Sequence, residues 1–407
     1  MIRTTLAILA VGIALASAAQ AQSNQPADPA PAMNNPDKVS WELFVQVNRP
    51  AATTGNNNVV FETWASDEDT FQQNPVFPGA SAPPTCAPPA VVAGGTPAAP
   101  SPAGALAAPG TVTAGASLKI LKIPALERFA PRRPGLQPHV VIGGSEEVRR
   151  NKATFDFIYC NKLYTQAGLR TAFAAGMPIS FPADSIEVKA NWVPAESVAP
   201  LQYHINTASD GKRYALVSMH IISKLVPNWT WATFEHRNNR GRCDFIGCRD
   251  NFGATVPVVL PQASPNGQYP PCDKTAAVKK MIAAAGMPPL WENYCLKGSQ
   301  VDFVTATGVP TLLGNSVTEN GFVNTSSCMT CHARASVTST GADAQGAGFL
   351  DPTANPAVCP SGPQQSCSPN GAPNPNWFWN NPGRPNQSLT TLQTDFLWAI
   401  PLSAIGP

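Results

Sequence analysis

The sequence predicts a mixed fold, β-rich, with short helices and long proline- and glycine-rich loops, and three observations carry that expectation. Between residues 185 and 236, three segments read as strands by alternation or by β-branched and aromatic content. The 43 prolines among 407 residues are about twice the usual share and disfavour a helix bundle. Ten cysteines point to covalent closure of loops that composition leaves poorly ordered. Charged residues make up only 13% and the formal net charge is +2, which implies no nucleic-acid or acidic-membrane partner.

The elements follow in chain order. Arg3, the apolar run Leu6 to Ala16 and the A-x-A triplet Ala19, Gln20, Ala21 form a signal peptide over 1–21, so export to the periplasm is expected. That apolar run is too short to span a bilayer comfortably, and nothing later approaches about 18 consecutive apolar residues. Residues 22–40, rich in Ala, Pro, Asn and Gln, read as a disordered linker, with order beginning at Trp41. A β-rich domain is expected over 41–300. It opens on the aromatic blocks WELFVQV (Trp41 to Val47) and Phe61 to Trp64, and an Ala/Pro-rich surface excursion at 83–116 interrupts it.

Asn151 to Ala174 has a helical pattern. Ser185 to Trp192 alternates Ile186, Val188, Ala190 and Trp192 against Ser185, Glu187 and Lys189. Tyr214 to Ser223 is apolar on both faces, as a central strand is, and Trp229 to His236 is aromatic and β-branched. Ala276 to Ala285 reads as a short helix ended by Gly286, and Val301 to Thr307 as a strand. Residues 301–407 are expected to pack on the same domain, with Leu392 to Leu402 and Trp377 to Trp379 as their apolar mass.

Within that last segment stands Cys328-Met329-Thr330-Cys331-His332, the C-x-x-C-H attachment signature of a c-type haem. Each thiol can add across a porphyrin vinyl group, and the histidine then offers an imidazole nitrogen to the iron. One covalent haem c is the cofactor expected. A dithiol redox motif wants a βαβ context and a zinc site wants a second ligand pair, and the sequence offers neither. Asn324 to Ser327 supply side-chain oxygens to cap a helix starting at the motif.

The eight other cysteines suit four disulfides in an oxidising compartment. Short loops favour Cys243 with Cys248 and Cys359 with Cys367, leaving Cys272 with Cys295 and Cys86 with Cys160 by elimination.

No His, Met, Lys or Tyr follows His332, so a sixth iron ligand must lie upstream or the position must be open. The upstream candidates are His139, His204, His220 and His236, with Met177, Met219, Met281 and Met287 behind them. Strand parity puts His220 on one face with Tyr214, Leu216 and Ile222, opposite Met219. His220 is the first choice and His236 the second, against the alternative of satisfied core histidines.

SWELFVQVNRPA (Ser40 to Ala51), FETWAS (Phe61 to Ser66), SIEVKANW (Ser185 to Trp192), SMHIISK (Ser218 to Lys224), NWTWATFEH (Asn228 to His236) and SSCMTCHARA (Ser326 to Ala335) together resemble an uncharacterised family of periplasmic cytochrome c proteins. The resemblance implies haem binding and electron transfer with a periplasmic redox partner, and it supplies no substrate. The Ala/Pro tract and the many cysteines depart from the simplest family pattern. The alternative function is a haem enzyme of peroxidase or oxygenase type with an open or labile sixth position, which the size of the scaffold favours. The absence of a second C-x-x-C-H argues against a dihaem peroxidase. A third possibility treats the haem as a sensor or structural staple.

Overall fold

The strands legible in the sequence lie side by side at the centre of one antiparallel sheet. The structure, a computed structural model, describes residues 29–52, 58–86, 145–176, 178–209, 211–262, 266–344, 357–359 and 367–406. The expected signal peptide, His139, Met177 and all but the first residues of the 83–116 excursion lie outside them. The main sheet contains β1 (Ala65–Ser66), β2 (Ser145–Arg150), β3 (Ile186–Pro194), β4 (Ile205–Thr207), β5 (Arg213–Ser223) and β6 (Thr230–His236). A separate pair, β7 (Cys248–Arg249) and β8 (Val258–Val259), precedes its edge strand β9 (Tyr294–Gln300). The strand order is β1-β2-β3-β5-β6-β9, with β4 beside β5.

The two faces of this sheet bury different chemistry. Val188, Ala190, Met219, Ile221, Ala232, Phe234 and Leu296 form an apolar face against the helix Pro36–Asn48. Trp41 and Phe44 of that helix meet Phe234 with ring centroids 5.1 and 4.4 Å apart. A large aromatic ring buries ~150–250 Å², and at about 25 cal/mol per Å² each such ring contributes about 4–6 kcal/mol. Trp41 also donates from Nε1 to Asp250 at 2.9 Å, and a Cβ on Gly253 would stand 1.9 Å from that nitrogen, so only glycine fits there. On the other face Lys189, His220 and Thr233 stand opposite one another in neighbouring strands and therefore point the same way.

The parity expected for β5 is broken in one place. Asn191 faces Ser218 but Trp192 faces Leu216, so Val217 is an extra residue. Leu216 consequently joins Met219 in the apolar core with Tyr214 packed against it, while Ala215 and Val217 pack with Val193 and Tyr203. Of the expected companions of His220, only Ile222 keeps its place on that face.

Other boundaries move for identifiable reasons. Residues 30–40 are not linker: helices run over Ala30–Asn34 and Pro36–Asn48, because Pro36 sits in the first turn, where its missing N–H is harmless, with Asp37 beside it. The helical stretch after Asn151 is two helices, Lys152–Cys160 and Gln166–Ala175, separated by a turn with Lys162 at φ 56°. The helix at Ala276–Ala284 forms as expected, followed by Gly286 at φ 69°. The strand expected at 301–307 is instead β9, which ends at Gln300. β2 was not foreseen: its Glu146, Glu147, Arg149 and Arg150 are all buried, with Arg149 paired to Glu147 and Arg150 to Asp67 and Glu187.

All four disulfides join the cysteines expected: Cys86–Cys160, Cys243–Cys248, Cys272–Cys295 and Cys359–Cys367. Two short strand pairings lie near the end of the chain: β10 (Ser336–Val337) lies beside β13 (Leu392–Gln393), and β11 (Trp379–Asn380) beside β12 (Ser388–Leu389), while Val358 forms an isolated bridge to Ser368. No helix among the described residues is long and apolar enough to cross a membrane.

Candidate functional site

The motif is a single helical turn, Cys328–His332, laid over the second face of the sheet. At 100° per residue, positions 328, 331 and 332 fall within one narrow arc, and 329 and 330 fall on the other side. Burial follows that geometry. Met329 and Thr330 are completely buried, whereas Cys328, Cys331 and His332 are half-buried.

The buried side anchors the turn. Met329 N–H donates to Gln300 Oε1 at 3.1 Å, and Thr330 Oγ1 donates to the Gly371 carbonyl at 2.7 Å. Gln300 Nε2 also donates to Ser327 Oγ at 3.0 Å, which bonds Thr330. Of the expected capping residues, Ser327 occupies the N-cap position, but its side chain does not cap a backbone N–H.

The outward side presents two unpaired cysteines and one oriented imidazole. Eight of the ten cysteines are in disulfides, and Cys328 and Cys331 are the two free thiols. Burial raises both thiol pKa values, and Glu319 adds to the effect at each. A dithiol oxidoreductase requires the opposite shift. His332 Nδ1 lies 2.8 Å from the Phe396 carbonyl, which can only accept, so Nδ1 carries the proton. Nε2 then holds the free lone pair and has no hydrogen-bond partner among the described residues. Burial pushes the imidazole pKa down to about 4, leaving it neutral at pH 7. Trp231 packs against the ring with centroids 4.7 Å apart.

His220, expected as the sixth ligand, belongs to a buried polar cluster next to this turn. Its Nδ1 lies 2.6 Å from Thr233 Oγ1, and its Nε2 is 3.1 Å from Asn315 Nδ2 and 3.3 Å from Glu319 Oε1. Cys328 Sγ itself donates to the Leu313 carbonyl at 3.4 Å. Burial would raise the Glu319 pKa, but the His220 charge and hydrogen bond, with the Asn315 N–H and Lys189, hold it below the usual range. Lys189 pairs with Glu146 at 2.9 Å.

The other candidates point elsewhere. His236, the second choice, alternates to the opposite face from Thr233 and is fully buried, with both nitrogens engaged by Gln202 O and Asn238 N–H. His204 bonds Glu62 at 2.8 Å and stacks on Trp291. Met219, Met281 and Met287 all belong to the apolar core on the far side of the sheet.

Sequence reasoning missed the groups that orient the site. Glu319, Asn315, Gln300 and the Phe396 carbonyl have no local signature; only Lys189 was signalled, by its alternation in β3. Among the described residues no group of three or more His, Cys, Asp or Glu is arranged to hold a bare metal ion. The donor set instead fits a covalent haem: two free thiols and an imidazole with its Nε2 lone pair available, on one face of one turn. No family model matches the chain, and no curated protein or solved structure is similar to it.

Proposed function

We propose that the chain is an exported monohaem c-type cytochrome that transfers electrons in the periplasm. The observation that carries this reading is the pairing of a C-x-x-C-H turn whose cysteines escape a disulfide framework taking up all the others with a histidine whose Nδ1 proton is committed to Phe396. Cys328 and Cys331 would hold the porphyrin covalently and His332 Nε2 the iron, and the bound haem would supply a one-electron iron couple. Four disulfides and the A-x-A leader favour an oxidising compartment. The resemblance of the segments around Trp41, Trp192, His220, His236 and Cys328 to periplasmic cytochrome c proteins supports the same role.

For the sixth position the strongest donor is His220, on a rigid central strand beside the motif. His236 lies on the other face of the sheet, away from the motif, whereas iron binding by His220 Nε2 would replace its contacts to Asn315 and Glu319. A second reading, a haem enzyme with an open sixth position, draws on Lys189, His220, Asn315 and Glu319, a cluster able to move protons next to the motif.

Expression with the haem-attachment machinery, a denaturing gel stained for haem, and an optical spectrum test the proposal. Stain that stays with the wild-type band and disappears from a Cys328→Ala/Cys331→Ala double variant is expected; no stain in the wild type rejects the haem. A low-spin ferrous spectrum indifferent to carbon monoxide supports the carrier, and a high-spin spectrum that binds it supports the enzyme.

A further inference from the structure

The carbonyl that accepts from His332 belongs to a strained turn. Asp395 has φ 48° and Phe396 φ 73°, two consecutive non-glycine residues in the left-handed region. Asparagine and aspartate tolerate that region moderately, and phenylalanine poorly, so the pair costs on the order of 1–3 kcal/mol per residue. Something in the fold must hold the turn in place.

The holding groups can be traced. Asp395 Oδ1 accepts from Lys224 Nζ at 2.6 Å, and Oδ2 accepts the Phe181 N–H at 2.7 Å. Lys224 directly follows β5, and its Nζ also donates to the Pro227 carbonyl at 2.7 Å. Both side chains are more than nine-tenths buried, with exposures of 9% and 7%. On the opposite side, Thr394 N–H donates to Ala335 O at 2.8 Å and Gln393 Nε2 to Ala333 O at 2.6 Å, which ties the turn to the residues just after the motif. A buried ion pair is a poor source of net stability, because desolvation offsets most of the attraction. Its position is what sets it apart: it connects the central strand to the one backbone carbonyl that orients the iron-binding imidazole.

We propose that the Lys224–Asp395 pair is a positioning device for His332: it holds the left-handed Asp395–Phe396 backbone, aims the Phe396 carbonyl at Nδ1–H, and thereby sets how strongly Nε2 donates to iron. This rests on the haem reading above. A well-aligned Nδ1–H···O bond makes the imidazole more electron-rich and favours the ferric state. Loosening the turn weakens that bond and raises the reduction potential.

The sign of the effect separates positioning from simple electrostatics. Loss of the Lys224 charge alone would favour ferric iron and lower the potential, whereas loss of the pinned turn raises it. Redox titration of the purified, haem-loaded protein should find Lys224→Met shifted upward by about tenfold in the Fe(III)/Fe(II) equilibrium, ~59 mV for a one-electron couple. Lys224→Arg, which retains the ion pair, should return toward the wild-type potential. Lys224→Gln, which removes the same charge but leaves a shorter amide able to reach toward Asp395, should shift the same way by less and carries the test if Lys224→Met does not fold. Unchanged or lowered potentials in Lys224→Met and Lys224→Gln, with the haem still covalently attached, overturn the proposal. A wild-type protein without covalent haem overturns the haem reading instead.

Discussion

His236→Gln tests whether this histidine is a structural member of the core. Its Nε2–H donates to Gln202 O at 3.0 Å and its Nδ1 accepts the Asn238 N–H at 3.2 Å, a division of roles that only the neutral ring supports. Tyr203 stacks on it at 3.6 Å, and the ring has no solvent exposure. Burial accordingly pushes its pKa from 6.5 down to about 4. Between those two pH values the unfolded chain binds a proton that the folded chain refuses, so stability falls as the pH drops through the window. The gap from 6.5 to about 4, at about 1.4 kcal/mol per pH unit, sets a loss of roughly 3 kcal/mol. Glu147 and Glu187, raised by burial to about 7, act in the opposite direction: the folded chain binds the extra protons below pH 7, so acidification favours it. Those contributions are common to wild type and variant and cancel in the difference. Urea denaturation at pH 7, 6, 5 and 4.5 should therefore show the wild type losing up to about 3 kcal/mol more than His236→Gln as the pH falls. The haem spectrum should not change. Parallel stability curves for the two proteins would refute the burial argument, and a shift to high spin in the variant would put His236 on the iron.

Three further outcomes are expected. His220→Ala should convert a low-spin iron to a high-spin, carbon-monoxide-binding one while the haem stays covalently attached, and an unchanged low-spin spectrum removes His220 from the sixth position. The Cys86→Ser/Cys160→Ser double variant, which opens a span of 74 residues, should lose about 4 kcal/mol in chemical denaturation, against about 2 kcal/mol for Cys243→Ser/Cys248→Ser, which opens one of 5; equal losses would contradict the chain-entropy ranking. Trp231→Ala should cost about 3–5 kcal/mol and broaden the haem spectrum, because the ring that packs against His332 is gone; an undisturbed spectrum would show that the Phe396 carbonyl alone orients the imidazole.

What the sequence made legible was local in origin. The C-x-x-C-H turn, the alternation of β3 and the helix before Gly286 are each written in neighbouring residues, and the disulfides followed from two short loops, an even count and elimination. β2 was illegible because SEEVRR reads as a solvated run until Trp64, Asp67, Thr70 and Glu187 arrive from elsewhere to satisfy it. The helix Pro36–Asn48 was hidden by an Ala/Pro/Asn-rich lead-in, and its apolar stripe is informative only against Phe234. The extra residue at Val217 inverted half of the face assignment for β5, since a period-two argument cannot survive one inserted residue. At the candidate site the helical turn of the C-x-x-C-H segment was readable, but the faces that His220 and His236 present depend on strand partners that no local pattern names.

A five-residue helix has no stability of its own, since nucleation costs more than one turn of hydrogen bonds returns. The geometry of Cys328–His332 is therefore supplied from outside it: by Gln300 at the end of the edge strand, by Gly371 in the C-terminal cover, and by Phe396 in a turn that Lys224 ties to β5. Gly371 itself has φ 78°, and a Cβ there would stand 2.2 Å from the Phe303 carbonyl, so the anchor for Thr330 depends on a glycine far from the motif in sequence. The motif fixes which atoms could reach a porphyrin and its iron. The sheet and the C-terminal segment fix where those atoms point, and substitutions at Gln300, Gly371 or Asp395 should disturb the site as surely as changes next to the cysteines.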